Sequence, residues 1–431
     1  MKYKFNINLA FDILNDRELK AIKSSIGALF NFLFETATIK EGKYLSEKIK
    51  DVWPLLQEID TNLLLKYEYK IILLPLNRVG AQEGASGSRV FVTYFRFDDQ
   101  DYCSSNPLIF KFDVVRSKKK KDKLADEKKN AESVIAFTDE HFAIPLYHSI
   151  NGGYSFLWAP FTSSVYTRTN GLYKNPIIKE NNLRKLIISA IKSNNKTKVR
   201  KVTNTLNTTY RYFKYWHSKN SFHKKLKKTY LEEYEWYLRD IDSWSKPWFD
   251  IWGESINQYV NDFNTEWINP FWILDRIKDM SFLFKVGAVH GDLHPLNIVI
   301  SHEEKPVIID FGWTQHEAHI VKDFALMEAN IRFASLPPDY SYNYLHDLSK
   351  SIELDSLTTK KNDPLYLWLI SIRHNFADID KDGIFLDEYI IPLFLISLGL
   401  LKFTSKISNQ VSARLTVLSL AKYIYDNKIE A

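Results

Sequence analysis

The stretch VHGDLHPLNIVI, residues 289–300, places His290, Asp292, His294 and Asn297 within eight positions, just ahead of an apolar β-branched run. Both histidines could ligate a metal, the aspartate could serve as a base, or the cluster could be a polar turn. A second apolar run, VIIDFGW at 307–313, carries Asp310 behind its strand-like part. Two short strands joined by a turn put Asn297 and Asp310 at the two ends of a hairpin, with Asp292 on the loop leading in. Three oxygen-bearing side chains can thereby converge. Hard oxygen donors suit Mg²⁺, which keeps several waters and takes one or two carboxylates together with substrate phosphates. The chemistry this points to is phosphate transfer.

The rest of the chain must build the scaffold. Its 431 residues can bury a large core in two or three domains, and 11 Trp and 28 Phe against 14 Gly and 14 Pro argue against long disordered segments. Cys103 is the only cysteine, which excludes an intrachain disulfide framework and a cysteine-based zinc site and fits a reducing compartment. The N-terminus MKYKFNINLAFDILNDRELK lacks a continuous apolar stretch and a small-residue cleavage site, so a cytoplasmic location is expected. The run YIIPLFLISLGLLKF, 389–403, is too short to span a bilayer and contains Pro392 and Gly399, so we expect a buried helix and no membrane contact.

Residues 15–35 predict an amphipathic helix with Asn15 or Asp16 as cap and Leu19, Ile22, Ile26, Leu29, Phe30 and Leu33 at helical spacing. With a second helical stretch around 44–68 they make a helical N-terminal extension, 1–69. KIILLPLNRVG, SRVFVTYFRF and PLIFKFDVV then read as an antiparallel meander, LADEKKNAESVIAF as a helix, and IPLYHSINGGYSFLWAPF as a hairpin around Gly152-Gly153. This gives a β-rich lobe over 70–161. The remainder, 162–431, is expected to be mainly helical, interrupted by the short strand pair of the opening motif.

HGDLHPLNIVI followed by VIIDFGW resembles the catalytic and metal-binding loops of the protein-kinase-like fold, in the version used by aminoglycoside phosphotransferases and choline kinases. Taken with VKDFALMEANIRF, IRHNF and YIIPLFLISLGLLKF, the chain looks most like the kinase-like "ternary complex associated" families of bacterial conflict systems. The resemblance implies an α+β, bilobal protein-kinase-like fold, with a small antiparallel β lobe and a large helical lobe following the helical extension. It implies that Asp292 orients the attacking hydroxyl and accepts its proton, and that Asn297 and Asp310 hold Mg²⁺. His290 would brace the Asp310 turn. Asp323 would cap the helix opening DFALME while tying back to the catalytic loop. His294 is typical of this version of the loop.

The resemblance also calls for a lysine on the third strand of the small lobe. PLIFKFD offers Lys111, a charge in an otherwise apolar strand, for contact with the α- and β-phosphates of ATP; its partner is Glu127 or Glu132, and counting back from IPLYH favours Glu127. VGAQEGASGSRVF, 79–91, stands where this fold places its phosphate-covering loop. It is not a clean GxGxxG, but Gly80, Gly84 and Gly87 would let backbone N–H groups approach phosphates, and Ser86 and Ser88 could add donors. FLWAP, 156–160, would be the hinge, with backbone groups of Trp158 and Ala159 facing adenine. Only 13 positions separate Asp310 from Asp323, too few for the activation segment of peptide-directed kinases, which favours a small-molecule or specialised hydroxyl acceptor. The reading is an ATP- and Mg²⁺-dependent phosphotransferase. The alternative is a catalytically weak or inactive nucleotide-binding module in a bacterial defence or signalling assembly, toward which the irregular glycine loop points.

Three other patterns compete for attention. DLH at 292–294 fits the first element of calcineurin-like metallophosphoesterases, but the further GD and GNH[DE] elements are missing, and HEAH at 316–319 is not the HExxH of zinc proteases. DIDKDGIFLDEY, 378–389, places Asp378, Asp380, Asp382 and Gly383 as an EF-hand would, yet its twelfth residue is Tyr389 and Glu388 comes one early, so an acidic turn is expected. Finally, the net charge of +6 is concentrated: between Glu180 and Glu232 there is no acidic residue and there are fourteen lysines and arginines. Tyr210, Tyr212, Phe213, Tyr215, Trp216, Phe222 and Tyr230 are interleaved with them. Segment 181–231 could therefore bind nucleic acid, an acidic protein or an anionic substrate, or be a solvated face with its aromatics packed inward.

Overall fold

The computed structural model describes residues 15–38, 69–75, 88–97, 108–115, 122–135, 141–160, 181–219, 225–301, 303–379 and 386–430, with short strand pieces at 5–9, 102–103, 164–165, 168–169, 172–174 and 177–178. Helices and strands are mixed, with a small, mainly antiparallel sheet. The chain divides into two compact units, Met1–Asn181 with Val299–Trp313, and Asn182–Ile298 with Thr314–Ala431.

The first unit contains β1 (Phe5–Leu9), α1 (Asp16–Thr38), β2 (Tyr69–Pro75), β3 (Arg89–Phe97), β4 (Leu108–Val114), α2 (Lys123–Ser133), β5 (Tyr147–Asn151) and β6 (Tyr154–Pro160). In space the main strands run β1-β2-β3-β4-β6-β5, and every pairing is antiparallel except β1 with β2. The segment expected to be a helical extension thus contributes a strand as well as a helix. The helix expected at 44–68 lies outside the described residues, as do Gly80, Gly84, Ser86 and Gly87.

Strand alternation explains how this sheet is covered. Leu108, Phe110 and Phe112 of β4 are all buried, and Phe110 packs against Phe156 at 5.5 Å and Trp158 at 4.4 Å. Helix α1 covers this face with buried Ile22, Ile26 and Leu29, and the Trp158 indole N–H donates to Ser25 Oγ at 3.3 Å. Each such buried aromatic or aliphatic side chain contributes about 1.5–3 kcal/mol. Lys111 alternates to the other face, where α2 lies. The buried residues of α2, Leu124, Glu127 and Ala131, recur at helical spacing and put a carboxylate on an otherwise apolar stripe. Asp122 accepts from the N–H groups of Leu124 and Ala125 and from Ser155 Oγ, so the first turn of α2 is clamped to the sheet. The β5–β6 turn has φ of 60° at Gly152 and 86° at Gly153, a left-handed pair that the Gly-Gly sequence adopts without strain.

The second unit is mainly helical, with α3 (Leu183–Ser193), α4 (Lys196–Lys219), α5 (Tyr230–Leu238), α6 (Lys322–Ala329), α7 (Pro364–Ala377), α8 (Ile391–Leu400) and α9 (Gln410–Ile424) among its helices. It also holds a three-stranded sheet in which Ser281–Val289 lies between Lys225–Thr229 and Gln315–His319. That central strand, which the pattern of helical residues up to about 286 did not suggest, delivers the loop beginning at His290. A buried ionic cluster crosses the core: Glu328 meets Arg332 at 2.8 Å and Arg373 at 2.7 Å, and Tyr389 donates its hydroxyl to the same carboxylate at 2.7 Å.

The apolar run forms α8 as expected, with every residue from Ile391 to Gly399 buried. Pro392 sits in its first turn, where the missing N–H costs nothing. A Cβ at Gly399 would stand 2.5 Å from the Tyr237 carbonyl oxygen, so the absence of a side chain there allows α8 and α5 to approach. Among the described residues, no helix is long and apolar enough to cross a membrane. In the basic segment, Tyr210, Phe213, Trp216 and Tyr230 are buried, with Tyr210 stacked on Phe324 at 4.4 Å. Their side chains belong to the core, whereas Lys196, Arg200, Arg211 and Lys214 are exposed.

Candidate active site

In the first unit the site is built around Lys111. Its Nζ lies 2.8 Å from Glu127 Oε1 and 3.4 Å from Asp310 Oδ1. Glu132 points elsewhere, pairing with Lys128 on the exposed side of α2. Burial works against the Lys111 ammonium, but the Asp310 and Glu127 carboxylates outweigh it and hold its pKa above the ordinary lysine value. Burial pushes Glu127 up to about 7, opposed by Lys111 and reinforced by Asp310. The result is a permanent cation facing two carboxylates, one enclosed and one, Asp310, with 42% of its side chain exposed.

Asp310 is positioned by local backbone. Its φ is 68°, a left-handed conformation that aspartate tolerates better than most residues. The preceding strand, Pro306–Ile308, pairs with Ile298–Ile300. Ile308 N–H donates to the His141 carbonyl at 2.8 Å, and its own carbonyl accepts from Ala143 N–H at 2.9 Å. Just beyond, Asn130 of α2 donates to the Gly312 carbonyl at 3.0 Å. Asp310 is thus bracketed by anchors on both sides.

Trp158 and Ala159 lie in β6, paired with Phe110 and Ile109 of β4. The Trp158 carbonyl accepts from Leu146 N–H at 2.7 Å, so the sheet already uses it. Ser88 is described and buried at the start of β3.

In the second unit, Asp323 organises the loop that begins at His290. Its Oδ2 accepts from His290 N–H and its Oδ1 from Gly291 N–H, each at 2.9 Å, and His217 Nε2 lies 3.2 Å from Oδ2. Asp323, His217 and His290 are all fully buried. The expected cap is corrected here: the N-cap position of α6 is Val321, and the Asp323 carboxylate is spent on the loop, not on its own helix. Gly291, at φ 75°, makes the bend that turns two successive N–H groups toward one carboxylate, and Tyr237 donates its hydroxyl to the Gly291 carbonyl at 2.9 Å. Burial, with Asp292 and Asp323 nearby, keeps the Tyr237 phenol well above its usual pKa and hence a donor.

Asp292 follows this anchored bend with 23% of its side chain exposed. Asn297 donates through Nδ2 to the Asp292 carbonyl at 2.9 Å, and its own N–H donates to the His294 carbonyl at 2.9 Å. His294 Nε2 lies 3.6 Å from Asp292 Oδ2, and His290 Nδ1 is 3.3 Å from the Asp292 nitrogen. Both histidines thus make contacts within their own loop.

Asn297 donates its amide nitrogen within its own loop, and Asp310 turns one carboxylate oxygen toward Lys111. Among the described residues no group of three His, Cys, Asp or Glu side chains is placed to hold a metal ion. Glu388 of the EF-hand-like stretch is engaged elsewhere, 2.7 Å from His319 Nε2, and residues 380–385 lie outside the described ones. His217 and Tyr237 went unnoticed in the sequence: they stand far from the motif, in a basic and an aromatic stretch with no distinguishing pattern.

With the loop geometry in hand, comparison with known families places one segment. Residues 264–396 match ternary complex associated domain 9. The matched span takes in the loop 290–297, Asp310, Asp323 and most of α8, and it agrees with the resemblance drawn from the motifs. No curated protein sequence matches the chain. Similar solved structures include a choline kinase from Streptococcus pneumoniae (13% identity, 81% of this chain and 93% of that one, TM-score 0.40) and a putative fructosamine-3-kinase from Haemophilus somnus (9%, 77% and 86%, TM-score 0.38). An ethanolamine kinase from Plasmodium vivax is similar at 11% identity over 94% of this chain and 98% of that one, with a TM-score of 0.34.

Proposed function

We propose that this chain is a phosphotransferase that uses ATP and Mg²⁺ and transfers the γ-phosphoryl group to a hydroxyl of a small-molecule or specialised acceptor. The observation that carries this reading is the Lys111 ammonium, sunk in a strand, fixed by Glu127 and facing the Asp310 carboxylate. A lysine so held is a point charge aimed at an anion, and it stays protonated throughout the physiological range. Bound ATP with Mg²⁺ supplies the phosphoryl group and neutralises charge on the leaving oxygen. Lys111 would offer its cation to phosphate oxygens, and Asp310 and Asn297 would hold the metal. Asp292 orients the acceptor hydroxyl and receives its proton, on a loop that Asp323 and Tyr237 keep from shifting. Such chemistry rests on positioning and charge neutralisation.

A second reading keeps nucleotide binding without turnover, as part of a multi-protein assembly; the match to a family described as ternary complex associated favours it. Calorimetric titration with ATP, with and without Mg²⁺, on the wild type and Asp310→Ala tests the first reading. Mg²⁺-dependent binding that the variant loses is expected, and absence of binding by the wild type overturns it. Where ATP binds, release of label from γ-labelled ATP in the presence of candidate acceptors separates the two readings.

A further inference from the structure

The basic segment leaves one feature that phosphotransfer does not use. On α4, Lys196, Arg200, Asn204, Asn207, Arg211 and Lys214 are all exposed, at successive spacings of four, four, three, four and three residues. That periodicity draws one straight stripe along the helix, about 27 Å long at 1.5 Å per residue. The stripe carries a pair of cations at each end, two asparagines between them and no carboxylate. None of its four cations makes an ion pair with a carboxylate among the described residues. Asn207 accepts through Oδ1 from Ser371 at 2.6 Å and Asn375 at 2.8 Å, so its amide nitrogen is the group with donors to spare. Toward its end the stripe borders a recess of about 300 Å³, lined by Asn207, Arg211 and Lys214 together with Asn375 and one carboxylate, Asp378.

We propose that this stripe is a binding track for the phosphate backbone of a nucleic-acid duplex. Two observations select that partner. Stacking on unpaired bases needs accessible aromatic rings, but the stripe itself carries none, and Tyr210, Phe213, Trp216 and Tyr230 are committed to the core while Tyr212 is half-buried, which disfavours single strands. Protein docking centres on exposed apolar or aromatic anchors, yet among the described residues none of the exposed large hydrophobic side chains lies on α4. What remains is a row of cations and amide donors, the groups that contact phosphate oxygens without reading sequence.

The test uses the full chain and fluorescence anisotropy with labelled duplexes of about 20 base pairs, one DNA and one RNA, against a single strand of equal length and poly-glutamate. Four phosphate contacts predict that affinity falls about a hundredfold between about 50 and about 200 mM salt. The variant Lys196→Gln/Arg200→Gln/Arg211→Gln/Lys214→Gln should bind at least about tenfold more weakly at the lower salt, with most of the salt dependence gone. A control variant that removes equal charge elsewhere on the same unit, Lys246→Gln/Arg276→Gln/Lys350→Gln/Lys361→Gln, should stay within about twofold of the wild type. Binding to either duplex with this pattern supports the track, and the two duplexes show which nucleic acid it takes. No duplex binding, equal loss in the control, or tighter binding of the single strand or of poly-glutamate overturns it.

Discussion

Asp323→Ala removes a buried carboxylate that two loop amides depend on. In the wild type, His290 N–H and Gly291 N–H each reach Asp323 at 2.9 Å, and neither His290 nor Asp323 is exposed to solvent. With alanine, two donors are stranded without water. At about 1–3 kcal/mol per unsatisfied buried donor the loss is about 2–6 kcal/mol, a large share of a typical domain's total of about 5–15 kcal/mol. Asp323→Asn keeps one acceptor and should lose about half as much. Urea unfolding gives the stability change, and hydrogen exchange at the 290 and 291 amides locates it. Because Asp292 follows directly, phosphate transfer should fall further than ATP affinity does. A loss below about 1 kcal/mol in Asp323→Ala, with both amides still protected, would refute the claim that this carboxylate holds the loop.

Asp292→Ala should abolish transfer while leaving ATP binding within a few-fold of wild type; equal turnover would dismiss Asp292 as the base. Lys111→Met should weaken Mg²⁺–ATP binding by about 10–100-fold, the value of about 1.5–3 kcal/mol for a charge-assisted contact, and calorimetry finding no change would remove Lys111 from the phosphate site. Burial opposes the Glu328 carboxylate, but Arg373 and then Arg332 outweigh it and pull it down to about 2 from 4.5. A depressed carboxylate adds stability above its unfolded pKa, so about 3 kcal/mol should disappear as pH falls from 4.5 through about 2. Thermal melts should show that slope in the wild type and a flatter one in Glu328→Gln, which at neutral pH should be less stable by about 3–5 kcal/mol; parallel curves would contradict it.

Local features were legible because they are written locally. The helix at 15–35, the Gly152-Gly153 hairpin and the seating of Lys111 opposite the phenylalanine face of its strand all follow from short-range periodicity. Counting back from IPLYH favours Glu127 over Glu132, and the structure puts it on the buried stripe Leu124, Glu127 and Ala131 of its helix. Pairings across long stretches of chain were not legible. Nothing near residues 5–9 says that they will lie parallel to 69–75, and the strand Ser281–Val289 is hidden among aromatic residues that suit a helix equally well. The role of Asp323 was half visible: its tie to the catalytic loop is expected from the motif, but a helix-opening aspartate normally caps, and only the fold shows two distant amides claiming both oxygens. For the basic segment, charge could be counted, but its direction could not be known until the helix turned Tyr210, Phe213 and Trp216 inward.

Gly399 shows how far a constraint reaches. It lies inside an apolar helix and bears no functional group, yet any side chain there collides with the backbone of Tyr237, the residue whose hydroxyl grips Gly291 beside Asp292. A mutational scan scored on activity alone would therefore rank position 399 with the chemistry, although it never meets a substrate. Telling such positions from true participants requires measuring what each does to the shape of the loop.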